Sequence, residues 1–405
     1  MLSTVVVLKM TSDPQQPLHR MLNTVVVFNT LFSKLKEKNP DILKRIIPVN
    51  GDVKEIKLGM AEEDRRTIIE NVNIIYHSAA SVRFDDFLKD AVLLNTRGTR
   101  EISNLALEVK NLVAFMHIST TYCNTDKKVI EEQLYPPHAD WREVIAVAEQ
   151  LDQHICDIFA TKYIDPFLNT YTFSKSLAEH VVNDLCKGKV PTVIFRPSVG
   201  ILRVCYSDPD STQDYIPVDV ATRMLIVATK ERGLNENLNE LPVFNAALGQ
   251  SVRMKTQKLL ELGKKLTWDS PYAKMLWYPN FSVTNNWYIF YIQCLLFHIF
   301  PALLIDGLLK LSRKKTMLIK VQRKIYIANM ALSYFMENSW NFVNAKAISL
   351  SDNLLECDKD NFAIKSLLPM HDDEIYAYYM KAKRATVKYL FKEEFNFDVA
   401  YRNTV

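Results

Sequence analysis

The sequence predicts a doubly wound α/β fold, a parallel sheet with helices on both faces, and three observations carry that prediction. Runs that are apolar at nearly every position recur at residues 45–52, 72–77, 112–118 and 192–195. Longer stretches with helical spacing lie between them. Each run closes on small, polar or turn-forming residues: Gly51-Asp52, Ser78-Ala79-Ala80, Ser119-Thr120 and Arg196-Pro197-Ser198. A strand covered on both faces has no polar side to show, so continuous apolarity alternating with helices means parallel pairing.

The elements follow in order. Met1-Leu2-Ser3-Thr4-Val5-Val6-Val7 recurs as Met21-Leu22-Asn23-Thr24-Val25-Val26-Val27, either a strand pair or a local duplication. Residues 31–38 read as an amphipathic helix stopped by Asn39-Pro40. Then come a strand at 45–52, a charged helix at 62–71, a strand at 72–77 and a helix from Leu88 through Asn104 to Val109. A strand at 112–118, a helix at 170–187, a strand at 192–195 and a helix at 218–230 complete the alternation. Past Gly249 the character changes. Residues 250–265 are polar and basic, a linker or surface helix, and 272–395 read as helical and rich in aromatic side chains. A chain of 405 residues has room for two domains, expected at 1–255 (the sheet domain) and 272–396 (the helical domain).

Composition excludes several functions. A hydrophobic share of 48% with 24% charged residues is that of a globular protein. A net charge of +4 does not point to nucleic acid. Six scattered cysteines without a Cys-x-x-Cys pair argue for a reducing compartment and against disulfides or zinc. The eight histidines form no His-x-x-x-His pair, so no metal site is expected. Asp372-Asp373-Glu374 reads as a turn or helix start, and no secretory signal is evident, because Lys9 follows the first apolar run instead of preceding it.

Residues 287–305 carry no formal charge and are long enough to reach across a bilayer. Lys310, Arg313, Lys314, Lys315, Lys320, Arg323 and Lys324 follow directly. A single span obeying the positive-inside rule would put the first domain on the non-cytosolic side. An interfacial or re-entrant helix anchored by the basic cluster avoids that conflict. A buried helix of a soluble domain is the other reading.

The chemistry centres on Tyr171-Thr172-Phe173-Ser174-Lys175. Positions four apart on a helix share a face, so Tyr171 and Lys175 can address one substrate. Tyrosine ordinarily titrates near 10; an ammonium beside it favours phenolate, and each pKa unit is worth about 1.4 kcal/mol. In such a site the lysine also grips the ribose of a nicotinamide nucleotide. The phenol then protonates the oxygen that turns negative as hydride arrives. Thr120, just past a strand end, is the expected second hydroxyl, with Ser119 and Thr121 as rivals. This is the constellation of a hydride-transferring enzyme of the short-chain dehydrogenase type. Tyr379 and Lys383 repeat the spacing without an upstream Ser-Thr strand end and read as a solvated helix face.

Other residues fit a nucleotide. Asp52 is placed to accept from an adenine amino group, or to cap a helix. Ala79 and Ala80 offer small side chains and free amides near ribose and phosphate, or simply pack tightly. Asn95 either positions backbone or water near the site or serves its helix. His77 reads as a satisfied core histidine. No Gly-x-Gly-x-x-Gly turn occurs, and 9 glycines in 405 residues is about 2% against a usual ~7%. The nucleotide fold is therefore expected to be incomplete.

The chain resembles the alcohol-forming fatty acyl-CoA reductases of the extended short-chain dehydrogenase/reductase superfamily. The matching text includes Val49-Asn50-Gly51-Asp52-Val53, Tyr76-His77-Ser78-Ala79-Ala80, Asn95-Thr96-Arg97-Gly98-Thr99 and His117-Ile118-Ser119-Thr120-Thr121-Tyr122. Tyr135-Pro136-Pro137, Asn169 to Lys175, Arg196-Pro197-Ser198, Asp214 to Asp219 and Leu276-Trp277-Tyr278-Pro279-Asn280 extend it. The resemblance implies a Rossmann-like sheet with a helical C-terminal reductase domain, a long-chain acyl-CoA substrate and NADPH. It implies Tyr171, Lys175 and Thr120 as catalytic residues. Asp52, Val53, Ala79, Ala80, Asn95, Ser119, Tyr171, Lys175, Pro197 and Ser198 would be the cofactor-binding residues. The implied product is a primary alcohol formed through an aldehyde. A homodimer and a place at the endoplasmic-reticulum or peroxisomal membrane, with the catalytic domain cytosolic, are implied as well. The first thirty residues lack the family's opening strand and glycine turn, which reads as truncation at the N-terminus. A second gap follows Ser198-Val199-Gly200. The alternative is a membrane-associated paralogue that binds acyl chains or a partner without turnover; a sugar-nucleotide or sterol dehydrogenase is a more distant one.

Overall fold

The computed structural model describes residues 5–8, 37–39, 46–198, 207–249, 254–272, 283–313, 315–364 and 371–390. The chain divides into two compact units: Met1–Ser198 with Ile216–Ala247 and Phe342–Leu368, and Val199–Tyr215 with Leu248–Asn341 and Pro369–Val405.

Parallel strands form the first unit's centre. β1 (Val5–Leu8) pairs with β2 (Ile46–Val49) as one two-stranded sheet. A second sheet has the order β3 (Ile74–His77), β4 (Ala114–Ile118), β5 (Thr192–Pro197), β6 (Val243–Ala246), all parallel. Among the described residues the two sheets are separate. β4 and β5 are buried along almost their whole length, which explains their unbroken apolar text. The expected strands all appear, three of them shorter by two to four residues and the fourth, β5, longer by two. The second copy of the opening repeat and most of the 31–38 helix lie outside the described residues.

Helices fill the connections: α1 (Glu62–Asn71), α2 (Leu88–Ala91), α3 (Gly98–Glu108), α4 (Trp141–Gln150), α5 (Gln153–Tyr163), α6 (Thr170–Cys186) and α7 (Val218–Leu234). α2 runs into α3 through a π-helical stretch, Val92–Arg97. Asn169 starts α6 by accepting from the Thr172 amide at 2.9 Å, and Asp152 starts α5 through Ile155 N at 3.0 Å. Two apolar clusters enclose α6. Val182 and Cys186 pack with Ile102, Leu105, Phe115 and Ile194; Phe173, Leu177 and Val181 pack with Val92, Trp141, Val144 and Phe167. A helix enclosed on two sides carries no simple polar face, which is why its text looks unlike an amphipathic surface helix.

Residues 342–364, expected in the helical C-terminal region, return to the first unit. Val343 N donates to Ile130 O at 2.9 Å, and Asn344 Nδ2 to Ala247 O at 2.8 Å. The Glu132 carboxylate accepts from the amides of Asn245 (3.1 Å), Lys346 and Ala347 (2.8 Å). β6, α4 and α5 carry weak sequence signals and were not expected.

The second unit is helical: α8 (Thr256–Asp269), α9 (Trp287–Cys294), α10 (Phe300–Leu311), α11 (Leu318–Glu337) and α12 (Asp372–Ala385). A π-helical stretch, Leu295–Ile299, joins α9 to α10. α8 takes the place of the expected linker or surface helix. Only 11% of the most apolar window of Trp287–Leu311 is buried, so this run is not the core helix of a soluble domain. The Tyr379–Lys383 face is not solvated either. Lys383 is buried, its Nζ donating to the Leu266 (2.9 Å) and Ser270 carbonyls, 4.3 Å over the Tyr272 ring. It satisfies carbonyls at the end of α8 that lack helical partners.

Gly98 opens α3 where a Cβ would stand 3.0 Å from Val53 O and 3.3 Å from Val53 Cβ. Gly98→Leu therefore forces α3 away from the 52–53 turn. Urea unfolding should show a loss of about 1–3 kcal/mol; an unchanged midpoint would mean the approach is not needed.

Candidate active site

The site lies at the C-terminal ends of β3, β4 and β5, where ligands of open parallel sheets bind. α6 presents Tyr171, Lys175 and Glu179 one turn apart on a single face. Tyr171 packs its ring on Phe84 with centroids 5.4 Å apart and has the Thr120 hydroxyl as a polar neighbour. Thr120 in turn accepts from the Tyr122 amide at 3.2 Å, which starts the short turn Thr121–Asn124. Of the three candidate hydroxyls, Thr120 is the one that bears on the Tyr171 phenol, lowering its pKa. Ser119 and Thr121 are buried; Ser119 lies against Glu179 and Cys123, and the Thr121 hydroxyl has no hydrogen-bond partner among the described residues.

Lys175 is buried, its Nζ donating to Ile118 O at 2.7 Å. Among the described residues that is its one acceptor, so two of the three ammonium donors are open to a ligand. Burial lowers its pKa to about 8, opposed by the Glu179 charge. Burial pushes Tyr171 up to about 12, opposed by the Thr120 hydroxyl. Lys175 is not among the groups that shift Tyr171, so the acidification expected from the four-residue spacing is not present. The carbonyl of Ile118 holds the ammonium at the strand end instead.

Glu179 and Arg196 form a two-pronged ion pair, with Nε to Oε1 at 2.8 Å and Nη2 to Oε2 at 2.6 Å, and side chains 1% and 0% exposed. Burial alone would raise the Glu179 carboxyl, but the Arg196 guanidinium holds it below its ordinary value. Cys123 Sγ donates to Glu179 Oε1 at 3.2 Å, and Arg196 also donates to Glu131 O (3.2 Å) and Gln133 O (3.1 Å). Sequence reading missed this pair; glutamate one turn beyond Lys175 and Arg196 at a strand end were the available signals.

The remaining candidates are placed as follows. Asn95 lies in the π-helical stretch, accepting from Ser81 N (2.8 Å) and donating to Ser81 O (3.2 Å) and Ser174 Oγ (2.9 Å). It ties the loop after β3 to α6, holding backbone at the edge of the site. Ala79 and Ala80 lie in that loop, half-buried. Asp52 accepts from Lys54 N at 2.8 Å, closing its own turn and not capping a helix. Val53 is buried against Gly98. Pro197 ends β5, and Ser198 donates its amide to Ala246 O at 2.9 Å. His77 and His117 are paired in register, rings 5.2 Å apart; His77 shares a hydrogen bond with Thr99 (2.9 Å), while both His117 nitrogens lack one. Burial, with the Lys175 charge, lowers His77 to about 3 and His117 well below its usual value.

A phenol beside a strand-end threonine, with a buried ammonium one turn away over a parallel sheet, is the arrangement of an extended short-chain dehydrogenase/reductase. Comparison with known proteins agrees. Two family models described as male sterility protein match, an NAD-binding one over residues 1–243 and a Sterile one over 297–393. Fatty acyl-CoA reductase wat of Drosophila melanogaster is 32% identical, over 82% of this chain and 69% of its own. Fatty acyl-CoA reductase 1 of Homo sapiens is 30% identical, over 91% and 76%. In fold, the chain is similar to the reductase domain of a nonribosomal peptide synthetase from Mycobacterium tuberculosis, with TM-score 0.57, 16% identity and 96% and 85% coverage. The chain belongs to the male sterility, or fatty acyl-CoA reductase, family.

The family implies a nicotinamide cofactor, and the unused Lys175 donors and the buried Thr121 hydroxyl without a partner fit the nicotinamide-ribose end of one. At the pyrophosphate end the sequence supplies no Gly-x-Gly-x-x-Gly turn.

Two measurements test the buried polar layer. Arg196→Met leaves Glu179 charged and alone, costing about 3–5 kcal/mol in urea unfolding, whereas adding Glu179→Leu recovers most of it. His77 and His117 stay neutral when folded and gain protons when unfolded, so stability falls as pH drops below 6.5, the unfolded histidine value. Each contributes a slope of about 1.4 kcal/mol per pH unit there. His117→Leu should flatten the decline between pH 6.5 and 5; an identical slope would show that His117 is not buried neutral.

Proposed function

We propose that this chain reduces a long-chain acyl-CoA in two steps, a first NADPH giving the aldehyde as the C–S bond breaks and CoA leaves as the thiol, and a second NADPH giving the primary alcohol. The observation that carries the proposal is the buried Lys175, fixed on Ile118 O with unused donors, one helical turn from Tyr171 and beside the strand end that bears Thr120, in a member of this family. Bound NADPH supplies the hydride. The protein's part is to hold the carbonyl oxygen and give it a proton. Tyr171 is fully protonated at neutral pH, so it donates to the carbonyl oxygen and releases its proton as that oxygen turns negative. Thr120 orients the phenol and shares the developing charge. Lys175 is fixed by Ile118 O, with two donors for ribose hydroxyls. Ser119, Pro197, Ser198, Ala79 and Ala80 edge the same strand ends and suit the nucleotide; Asp52, Val53 and Asn95 complete the proposed set, the last by holding the loop after β3. The assembled acid group favours turnover over the alternative of an acyl-binding paralogue.

The reading includes association with the endoplasmic-reticulum or peroxisomal membrane, the catalytic unit cytosolic. Its support is the exposed apolar run Trp287–Leu311 and the basic residues after it.

Tyr171→Phe should lower alcohol formation from palmitoyl-CoA by at least about 100-fold with NADPH affinity unchanged, while Tyr379→Phe leaves turnover alone. Wild-type turnover in the Tyr171 variant would assign the acid elsewhere. With Lys175 near 8, the rate should decline as pH rises through that value and the ammonium is lost; a flat profile to pH 9.5 would remove the cation from the mechanism.

A further inference from the structure

We propose that the segment from Trp287 to Glu337 is a helical hairpin that seats in one leaflet of an anionic membrane, both ends on the same face, without crossing the bilayer. The proposal rests on the membrane association above and specifies its geometry and lipid class.

The hairpin is held by named contacts. The Asp306 carboxylate, near the end of α10, accepts from the amides of Met317 (3.2 Å), Leu318 (3.1 Å) and Ile319 (3.0 Å). An acid of one helix thus caps the start of the next, where free amides and the helix dipole favour negative charge. His298 Nδ1 lies 3.2 Å from Gln322 Oε1, and α10 packs on α11. The chain therefore turns between Leu311 and Leu318, and α11 runs back beside the apolar run.

That reversal decides the mode of insertion. Within Trp287–Leu311 only Phe290, Ala302 and Asp306 are buried; Phe297 is 72% and Leu311 86% exposed. This much apolar surface facing outward calls for a non-aqueous partner. The midpoint of the run is near His298, whose neighbour across the hairpin is Gln322. Gln322 is flanked by Lys320, Arg323 and Lys324, all exposed and spaced to share one stripe of α11. Were the run a span, these three cations would lie near mid-bilayer depth, where charge is strongly disfavoured. With the hairpin lying along the surface, the same stripe reaches the headgroups while the α9–α10 surface enters the acyl region. Lys310, Arg313 and Lys315 add to the stripe, and from 287 to 336 the sole acid is Asp306, occupied in the cap. Seven bases against one acid select an anionic surface. Trp287, Tyr288 and Tyr291 stand exposed at the start of the run, where interfacial aromatics anchor.

The test uses the full chain with phosphatidylcholine vesicles, with and without phosphatidylserine, and with microsomes. Flotation should require phosphatidylserine, and Lys320→Gln, Arg323→Gln and Lys324→Gln together should weaken it by about 100-fold. The same variant should keep its turnover of a soluble short-chain acyl-CoA. An Asn-Gly-Thr acceptor inserted at Lys315 should escape glycosylation in microsomes and be cut by protease added outside. Flotation combined with glycosylation at Lys315 would overturn the hairpin and leave membrane association standing. Flotation indifferent to phosphatidylserine and to the triple variant would overturn the headgroup arrangement. No flotation with either vesicle would overturn both readings.

Discussion

Arg196 and Glu179 meet where water cannot reach either, and the catalytic side of the first unit is arranged around that meeting. A guanidinium and a carboxylate removed from water tolerate little misalignment, because each uncompensated charge costs several kcal/mol. The pair joins the end of β5 to α6. Through the Cys123 thiol and the Glu131 and Gln133 carbonyls it also draws in the chain after β4. Lys175 stands one turn above Glu179 and Tyr171 one turn above that, so the position of the acid is inherited from a contact two helical turns away. Glu179 also opposes the loss of charge that burial imposes on Lys175.

A second constraint comes from the other side of α6. Asn95 satisfies both backbone groups of Ser81 and reaches Ser174, between Tyr171 and Lys175. It does so from a π-helical stretch, where the extra residue in the turn redirects a side chain that a regular α-helix would point elsewhere. α6 is thus clamped between a charged pair below and an amide bridge beside it. The reacting groups sit on a rigid element, which suits a mechanism based on a donor already in place as charge develops.

The second unit uses similar physics for other ends. Lys383, at the spacing from Tyr379 that Lys175 has from Tyr171, is also buried on backbone carbonyls, where it closes the end of α8. A buried lysine one turn from a tyrosine is therefore a way of closing a helix end as well as a way of building an acid. Asp306 makes the complementary closure, an acid on the amides that open α11.

Much was legible in the residues themselves. Continuous apolar runs marked β3, β4 and β5 because a strand covered on both faces leaves no polar position. Tyr171, Lys175 and Thr120 became candidates from chemistry at helical spacing beside a strand end. Other features depend on residues far apart in sequence. Glu179 with Arg196, Glu132 with the 346–347 amides and Asp306 with the start of α11 are partnerships that local text cannot specify, since any buried charge needs a partner but nothing nearby says which. The Lys175 charge state belongs to the same class. Spacing put a cation near a phenol; packing gave that cation to the Ile118 carbonyl and left Tyr171 above its ordinary pKa. The sequence alone determined which residues could do the chemistry, because side-chain type and period are local. Only the tertiary structure decided which of them meet, in what protonation state, because desolvation and pairing depend on everything folded around them.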